Sequence, residues 1–434
     1  MSTSSVDGLI SGLSTSQLIS QLMQVEQAPQ DALKTKVTAE NKVISAYQSV
    51  NTRMSSLQTA ADTLVQDSTW QAVKATSSSD AVVATAAAGA AAGNFTFDVK
   101  ALARAQVTTA SVAATGAVTT GSGLNISIGG AAAVHVNVTT DTAQGVADAV
   151  NAANLGVRAA VVTTDQGTVL QFTGTKTGVA NRFTVTGLQA ATTDVTAAAD
   201  AQIQVGTVGS GGYTVTSSTN TFTNVLSGVT LTANKLQDGV TVSVASDADG
   251  LADKVQAMVD ATNNALAEIT NQTRYDPTTK KGGPLTSDFA VRTLQQNLLS
   301  AVGNGQTGYG SFAQLGVQLD RDGKVTFDRD AFKAAYLADP TKTKSAVQTG
   351  LAKGLDDRAK GATDTVSGSL TLAIQGGNTL VKSYNDQIAD WDVRLQARKE
   401  GLQKQFADLE VALGKLKDQS SWLSGQLASL PTGK

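Results

Sequence analysis

The sequence predicts an α+β multidomain chain: long terminal helices form a coiled-coil or helical-bundle stalk, and a mostly-β, two-lobed insertion separates them. Three observations carry this expectation. Apolar residues recur at three- and four-residue spacing towards both ends of the 434-residue chain. Between them, short runs alternate at period two, the signature of half-buried strands. Charge is also uneven, since positions 75–250 carry 16 charged residues and the rest of the chain 53, a shift that marks a boundary. All five prolines and all three tryptophans lie outside that middle segment.

The first helix should run from near Ser16 to near Asp67. Within it Val43, Tyr47, Val50, Met54, Leu57, Ala61 and Leu64 form a heptad seam. Pro29 has no N–H for the bond back to Val25, so a kink or break is expected there. In the insertion, Phe95-Thr-Phe97-Asp-Val99, Val134-His-Val136-Asn-Val138, Val169-Leu-Gln-Phe172, Phe183-Thr-Val185, Val229-Thr-Leu231 and Val240-Thr-Val242-Ser-Val244 read as strands. Gly129-Gly130, Asp165-Gln-Gly167 and Asp238-Gly239 supply turns, and residues 143–153 a short helix.

After the insertion, residues 251–271 read as a helix with Leu251, Val255, Met258, Leu266 and Ile269 on one face, closed by Tyr275-Asp-Pro277. A second helix is expected over 287–302, then a hairpin about Asp322-Gly323. The last helix, over 379–430, keeps Val381, Tyr384, Ile388, Trp391, Leu395, Leu402, Phe406, Leu409, Leu413, Leu416, Leu423, Leu427 and Leu430 in one 3/4 register, with only Arg398 and Ser420 polar. It would be roughly 78 Å long. A strict seven-residue repeat seeks another helix in a left-handed coil. The obvious partner for its first half is the seam over 43–64, giving a stalk core of Val43, Tyr47, Val50, Met54, Leu57 and Leu64 against Tyr384, Ile388, Trp391 and Leu395. Beyond Leu402 only the short segment before Pro29 is available, in the same chain or in another subunit, and so many large apolar residues are unfavourable in water.

The domain boundaries expected are a terminal helical leg of 1–30 and 402–434, a helical stalk of 31–72 and 250–401, an inner β domain of 73–114 and 190–249, and an outer β domain of 115–189.

Composition leaves little room for catalysis. With no cysteine and one histidine, disulfides, thiolate sites and most imidazole chemistry are excluded. His135 lies between Val134 and Val136 on a strand, with nothing nearby to complete a triad. Gly303-Asn-Gly305-Gln-Thr-Gly308 matches a dinucleotide fingerprint, but it follows a helix where that fingerprint needs a strand. Asp320-Arg-Asp322-Gly323 suggests a calcium loop, but its glycine is fourth rather than sixth and Ala331 stands where a glutamate is required. A flexible glycine loop and a hairpin turn are the better readings. No catalytic residue, cofactor site or metal site is expected. A net charge of −3 gives no basis for binding nucleic acid or an anionic membrane, and no run reaches the about 18 apolar residues of a membrane span. The N-terminus lacks a basic n-region, Lys34 being the first lysine, so either the chain stays in the cytosol or an exporter other than the secretory one reads it.

The ends are more specific. Gly8-Leu9-x-Ser11-Gly12-Leu13-x-Thr15, followed by Leu22-Met23-x-x-Glu26-x-x-Pro29 and Leu33, resembles the N-terminal signature of the flagellar hook-associated protein 2 family, the filament cap proteins. Gln405-Phe406 with Leu409, Leu413, Leu416 and Leu423 is similar to that family's closing helix. Val138-Thr-Thr through Ala149-Val-Asn151-Ala, and Gly178-x-x-Asn181-Arg-Phe-Thr-Val185, resemble an insert module shared by flagellins and cap proteins. Tyr275-Asp-Pro277, Gly283-Pro284-Leu285 and Leu315-Gly316-Val317 to Asp322-Gly323-Lys324 also fit.

The resemblance implies an extracellular, non-enzymatic protein, exported unfolded through the flagellar channel without a cleaved signal and met by an export chaperone. It implies a closed homo-oligomeric ring at the filament tip that guides flagellin into the lattice, with no nucleic-acid partner and no membrane insertion. The terminal helices would be legs, with Leu9, Leu13, Leu22, Leu402, Phe406, Leu409, Leu413, Leu416, Leu423 and Leu427 as the assembly interface. Two other readings stay open. A flagellin-like or hook-junction subunit shares the helical ends, although no Arg-Leu-Ser-Ser-Gly segment is present, and an adhesin would act through the β lobes.

Overall fold

The structure, a computed structural model, describes residues 12 and 14–428. The chain divides into two compact units, one of Met1–Gln66 with Ala252–Lys434 and the other of Asp67–Leu251.

The β unit is built from fifteen strands among the described residues, in chain order β1 Val73–Ser77, β2 Val82–Ala86, β3 Gly93–Ala101, β4 Val107–Val112, β5 Gly123–Ile128, β6 Val134–Asn137, β7 Val157–Thr164, β8 Gly167–Gly174, β9 Phe183–Thr186, β10 Thr192–Thr196, β11 Ala201–Val205, β12 Tyr213–Ser217, β13 Thr221–Leu226, β14 Val229–Ala233 and β15 Gln237–Ser246. They pair antiparallel. A five-stranded sheet in the order β1-β15-β3-β11-β12 and a three-stranded sheet β13-β14-β2 enclose one core, in which Phe95, Phe97, Ile203, Phe222, Leu231 and Val242 are buried. A second core lies among the sheets β10-β4-β8-β7 and β6-β5-β9 and the helix Ala143–Ala153. It buries Leu124, Ile126, Val146, Val150, Leu170, Phe172 and Phe183. Alternation explains both, because every second side chain of a strand faces the core.

Two side-chain amides stand in for missing strand partners here. Gln106 accepts the Phe183 N–H at 2.9 Å and donates to the Phe183 carbonyl at 2.8 Å. Asn151 does the same for Ala159, at 3.0 and 2.8 Å, closing one rung of the edge strand β7. Buried or edge backbone groups are thereby satisfied without another strand.

The lobe boundaries differ from the expected ones. Strands β4 and β10, assigned by sequence to the inner domain, pair with β8 and with each other in the outer lobe. The crossing between the lobes is instead marked by Arg104 and Ala199, whose backbones exchange hydrogen bonds of 2.9 and 3.1 Å. Alternation identifies a strand but not its partner, and these pairings are non-local.

The helical unit opens with α1 (Thr15–Val65), which runs unbroken through Pro29. The expected break is absent because Pro29 and Val25 both lie on the exposed face, where water can satisfy the freed Val25 carbonyl. With the β-unit helix Ala143–Ala153 as α2, the remainder are α3 (Ala248–Thr273), α4 (Phe289–Gly303), α5 (Arg329–Ala338), α6 (Pro340–Ser345), a π-helical turn Ala346–Ala352, α7 (Lys353–Thr363) and α8 (Ser369–Ala428). Of α3, residues from 252 onward belong here. The hairpin Val317–Leu319 with Val325–Phe327 closes on Asp322-Gly323. Helix α8 begins at Ser369, nearly three turns before the expected start, and α5 to α7 fill a stretch in which the sequence pattern showed no element.

The seam over 43–64 is also partnered differently. Val50, Met54, Leu57, Ala61 and Leu64 are fully buried, but the second half of α1 packs on α7 and the π-helical turn. Gln348 donates to the Val65 carbonyl at 2.7 Å, and Thr363 to Gln58 at 2.9 Å. The partner chosen for this seam, Tyr384 to Leu395 of α8, packs instead on the first half of α1. Val43 and Tyr47 are only half-buried. The Tyr47 hydroxyl donates a short hydrogen bond to Asp288, whose other oxygen accepts the Val291 N–H at 2.8 Å and so caps α4. Burial, and then the Asp288 carboxylate, push the Tyr47 phenol well above its ordinary range.

One polar residue weakens the α7 contact. Asp356 is buried, and desolvation, with Asp62 and Asp357 adding like charge against Lys353 and Lys360, raises its pKa above the ordinary 3.8. A carboxyl whose folded pKa is raised costs stability in its charged form above that pKa, and the cost vanishes as pH falls below the unfolded value. Asp356→Asn should therefore stabilise the helical unit at pH 7. In urea titrations of both proteins the gain should shrink towards zero below the ordinary carboxylate range; a gain that grows on acidification would contradict the assignment.

Candidate assembly surface

The first half of α1 and the middle of α8 form an antiparallel stem. Each side chain that ties it has a partner far away in sequence. Gln30, buried, donates to Asp392 at 2.6 Å and to the Ile388 carbonyl at 3.4 Å. Arg398 meets Glu26 at 3.3 Å, and the Lys36 ammonium lies 5.8 Å from the Tyr384 ring centre. The apolar floor is Ile19, Met23, Leu395 and Leu402, with Trp391 and Phe406 packed against it.

Among the described residues this pairing stops at the start of α1. Thr15 and Glu410 are the last buried positions on the two helices, yet α8 continues to Ala428, about 27 Å further at 1.5 Å per residue. Along that overhang Leu416, Trp422, Leu423 and Leu427 are 60, 66, 55 and 62% exposed. Leu409 is exposed just before it and Leu413 is half-buried. Leu409, Leu416 and Leu423 fall one heptad apart, the row a further helix would cover.

Of the residues expected to form the interface, the structure places Leu22, Leu409, Leu416, Leu423 and Leu427 on the exposed surface. Leu402 and Phe406 are corrected: they are spent on α1 within the chain, because the antiparallel register sets them over Met23 and Ile19. Leu9 and Leu13 lie outside the described residues. Sequence reasoning missed Leu18 and Val25, which with Leu22 form a second apolar row on α1, all exposed. Their spacing of four and three was legible, but Ile19 and Met23 beside them were not read as a separate face.

The other motifs sit apart from this surface. The Asp320 carboxylate accepts the Asp322 and Lys324 N–H groups at 2.9 and 2.8 Å, which closes the hairpin turn. The glycine loop after α4 folds on itself, Gln306 and Gly310 exchanging hydrogen bonds of 2.9 and 2.8 Å. His135 is exposed and meets Asn125 of the paired strand at 3.1 Å. Among the described residues no three metal-ligating side chains cluster, and no helix is long and apolar enough to cross a membrane.

A stem made by pairing the first and last helices, carrying an uncovered apolar row and interrupted by a β unit, defines a structural assembly subunit. The chain belongs to the flagellar hook-associated protein 2 family: the family's C-terminal model matches residues 198–418 and its N-terminal model residues 11–106. It is 27% identical to flagellar hook-associated protein 2 of Escherichia coli (strain K12), covering 98% of each chain. It is 29% identical to A-type flagellar hook-associated protein 2 of Pseudomonas aeruginosa, over 99% of this chain and 98% of the other. The crystal structure of the Escherichia coli flagellar cap protein FliD D1-D2-D3 domains superposes with a TM-score of 0.57 at 26% identity, over 77% of this chain and 99% of that one.

The overhang and the stem separate energetically. Replacing Trp422, Leu423 and Leu427 together by alanine should leave the urea midpoint of the isolated protein within the scatter of surface substitutions, about 0.5 kcal/mol. Leu402→Ala should lower stability by about 2 kcal/mol or more. Equal losses in both would place the overhang in the folded core.

Proposed function

We propose that this protein caps the flagellar filament: it forms a closed ring at the distal end and promotes polymerisation of exported flagellin by conformational, non-catalytic action of its helical legs. The single observation that supports this most is the overhang of α8 beyond its partner helix, in a chain of the cap family. An uncovered heptad row has a large favourable burial waiting on docking, yet it is attached to a stem that is already folded. A contact carried by one narrow row on a preformed helix can be made and released as each flagellin enters, which suits a cap that must shift.

Ring closure calls for head-to-tail contacts about a rotation axis. The leg of 1–30 and 402–434 would meet filament subunits, the stalk of 31–72 and 250–401 would carry it, and the two β lobes would face outward. Export through the flagellar channel, delivery by an export chaperone and residence at the extracellular tip belong to the same reading. The complete absence of cysteine agrees with a chain threaded unfolded through an oxidising exit. The flagellin-like and adhesin alternatives draw no added support from the family match.

Truncation after Glu410 tests the proposal while sparing the stem. In the native strain lacking its own copy, the truncated protein should be made and folded, filaments should be missing, and flagellin should accumulate in the medium. Filaments of normal length would refute the capping role of the overhang.

A further inference from the structure

Between the stem floor and the helical bundle, α1 and α8 pass through a stretch with little to hold it. Among the described residues, Gly377 is the one buried position of α8 between Leu370 and Leu395, and none of residues 31–43 of α1 is buried. Half-buried Leu33, Val37, Val381, Tyr384 and Ile388 are what the two helices share there. Regions with few buried apolar contacts are the first to open locally.

Two adjacent glycines sit at the foot of this neck, inside the helix Ser369–Ala428. Glycine weakens a helix interior because its backbone has more freedom to lose. The two differ in surroundings. A Cβ on Gly377 would lie 2.7 Å from Ile44 Cγ1 and 2.9 Å from Glu40 Oε1, so the Ile44 side chain of α1 packs directly on the α8 backbone there and an added side chain would displace it. A Cβ on Gly376 would meet nothing within 4 Å, so packing does not require glycine at that position. Beside the same level of α1 lies a shallow groove of about 490 Å³, open to solvent and lined by Thr38, Asn41, Lys42, Ser45 and Ser49 with Gln272 and Pro284. Solvent rather than packed protein faces α1 in that groove, so little there resists its displacement.

We propose that Gly376 and Gly377, opposite Ile44, are a pivot about which the stem swings as one body against the bundle. The close contact at Gly377 sets the axis, Gly376 supplies the weak helical turn, and the open groove leaves α1 room to move. Hinges of this kind are a few residues that absorb the backbone change between two packed bodies. The proposal stands independently of capping, since it concerns the isolated protein.

Because the chain has no cysteine, spin labels can be placed at Gln27→Cys in the stem and Gln296→Cys on α4, both exposed positions, and their distance distribution measured in the full-length protein. A broad distribution is expected. Gly376→Ala in that background should reduce the population away from the main distance by about fivefold, the factor set by the helix-propensity difference between the two residues. Gly401→Ala, also in open space on α8 but above the neck, should leave the distribution unchanged, with circular dichroism confirming that each variant is folded. A single narrow distance in the unsubstituted protein, or equal narrowing by both alanines, would overturn the pivot.

Discussion

The helical unit depends on the pairing of two helices that enter it from opposite ends of the chain. Gln30 and Asp392, 362 positions apart, share a 2.6 Å hydrogen bond, and Ile19 and Met23 share a floor with Leu395 and Leu402. Closing so long a loop is less costly than its length suggests, because loop entropy grows only with the logarithm of length. A β unit folded on its own cores shortens the effective loop further. The architecture therefore tolerates a large insertion between its terminal helices without losing the stem.

The pairing is unequal in length. An α8 that ended near Glu410 would still cover the stem floor of Ile19, Met23, Leu395 and Leu402. Instead it presents Leu416, Leu423 and Leu427 to water, on a helix whose remaining positions are rich in Gln, Ser and Lys. Exposed rows of this kind mark sites of association. The second row on α1, Leu18, Leu22 and Val25, lies at the same end of the stem, so both helices offer apolar surface where the chain's internal packing runs out.

Packing falls off along the unit in steps. Next to α7 the apolar residues of the α1 seam from Val50 to Leu64 are wholly excluded from water. Apart from Gly377 the neck retains half-buried contacts, the stem regains a small core, and among the described residues the overhang has none. Stability distributed in this way lets one part move while its neighbours stay folded. Asp356 and its like-charged neighbour Asp62 show that even the tight contact is not fully optimised.

Sequence alone determined the kind of each long element and its rough extent. Period identifies one face of a helix or strand, and helix α1, helix α8, the short helix over 143–153, the hairpin at Asp322-Gly323 and most strands were legible from it. The family was legible from the terminal motifs. Tertiary structure decided what each face meets. The seam from Val43 to Leu64 announces a partner without naming it, and α7, which has no heptad pattern of its own, occupies the place expected for α8. Strands β4 and β10 joined the outer lobe for the same reason, and Leu402 and Phe406 left the candidate interface once the register set them over α1. Pro29 broke nothing because the carbonyl it frees faces solvent, a fact of orientation rather than of composition. Periodicity is local and pairing is global, so the chain's own pattern specified its elements, while competition among all available faces selected the contacts.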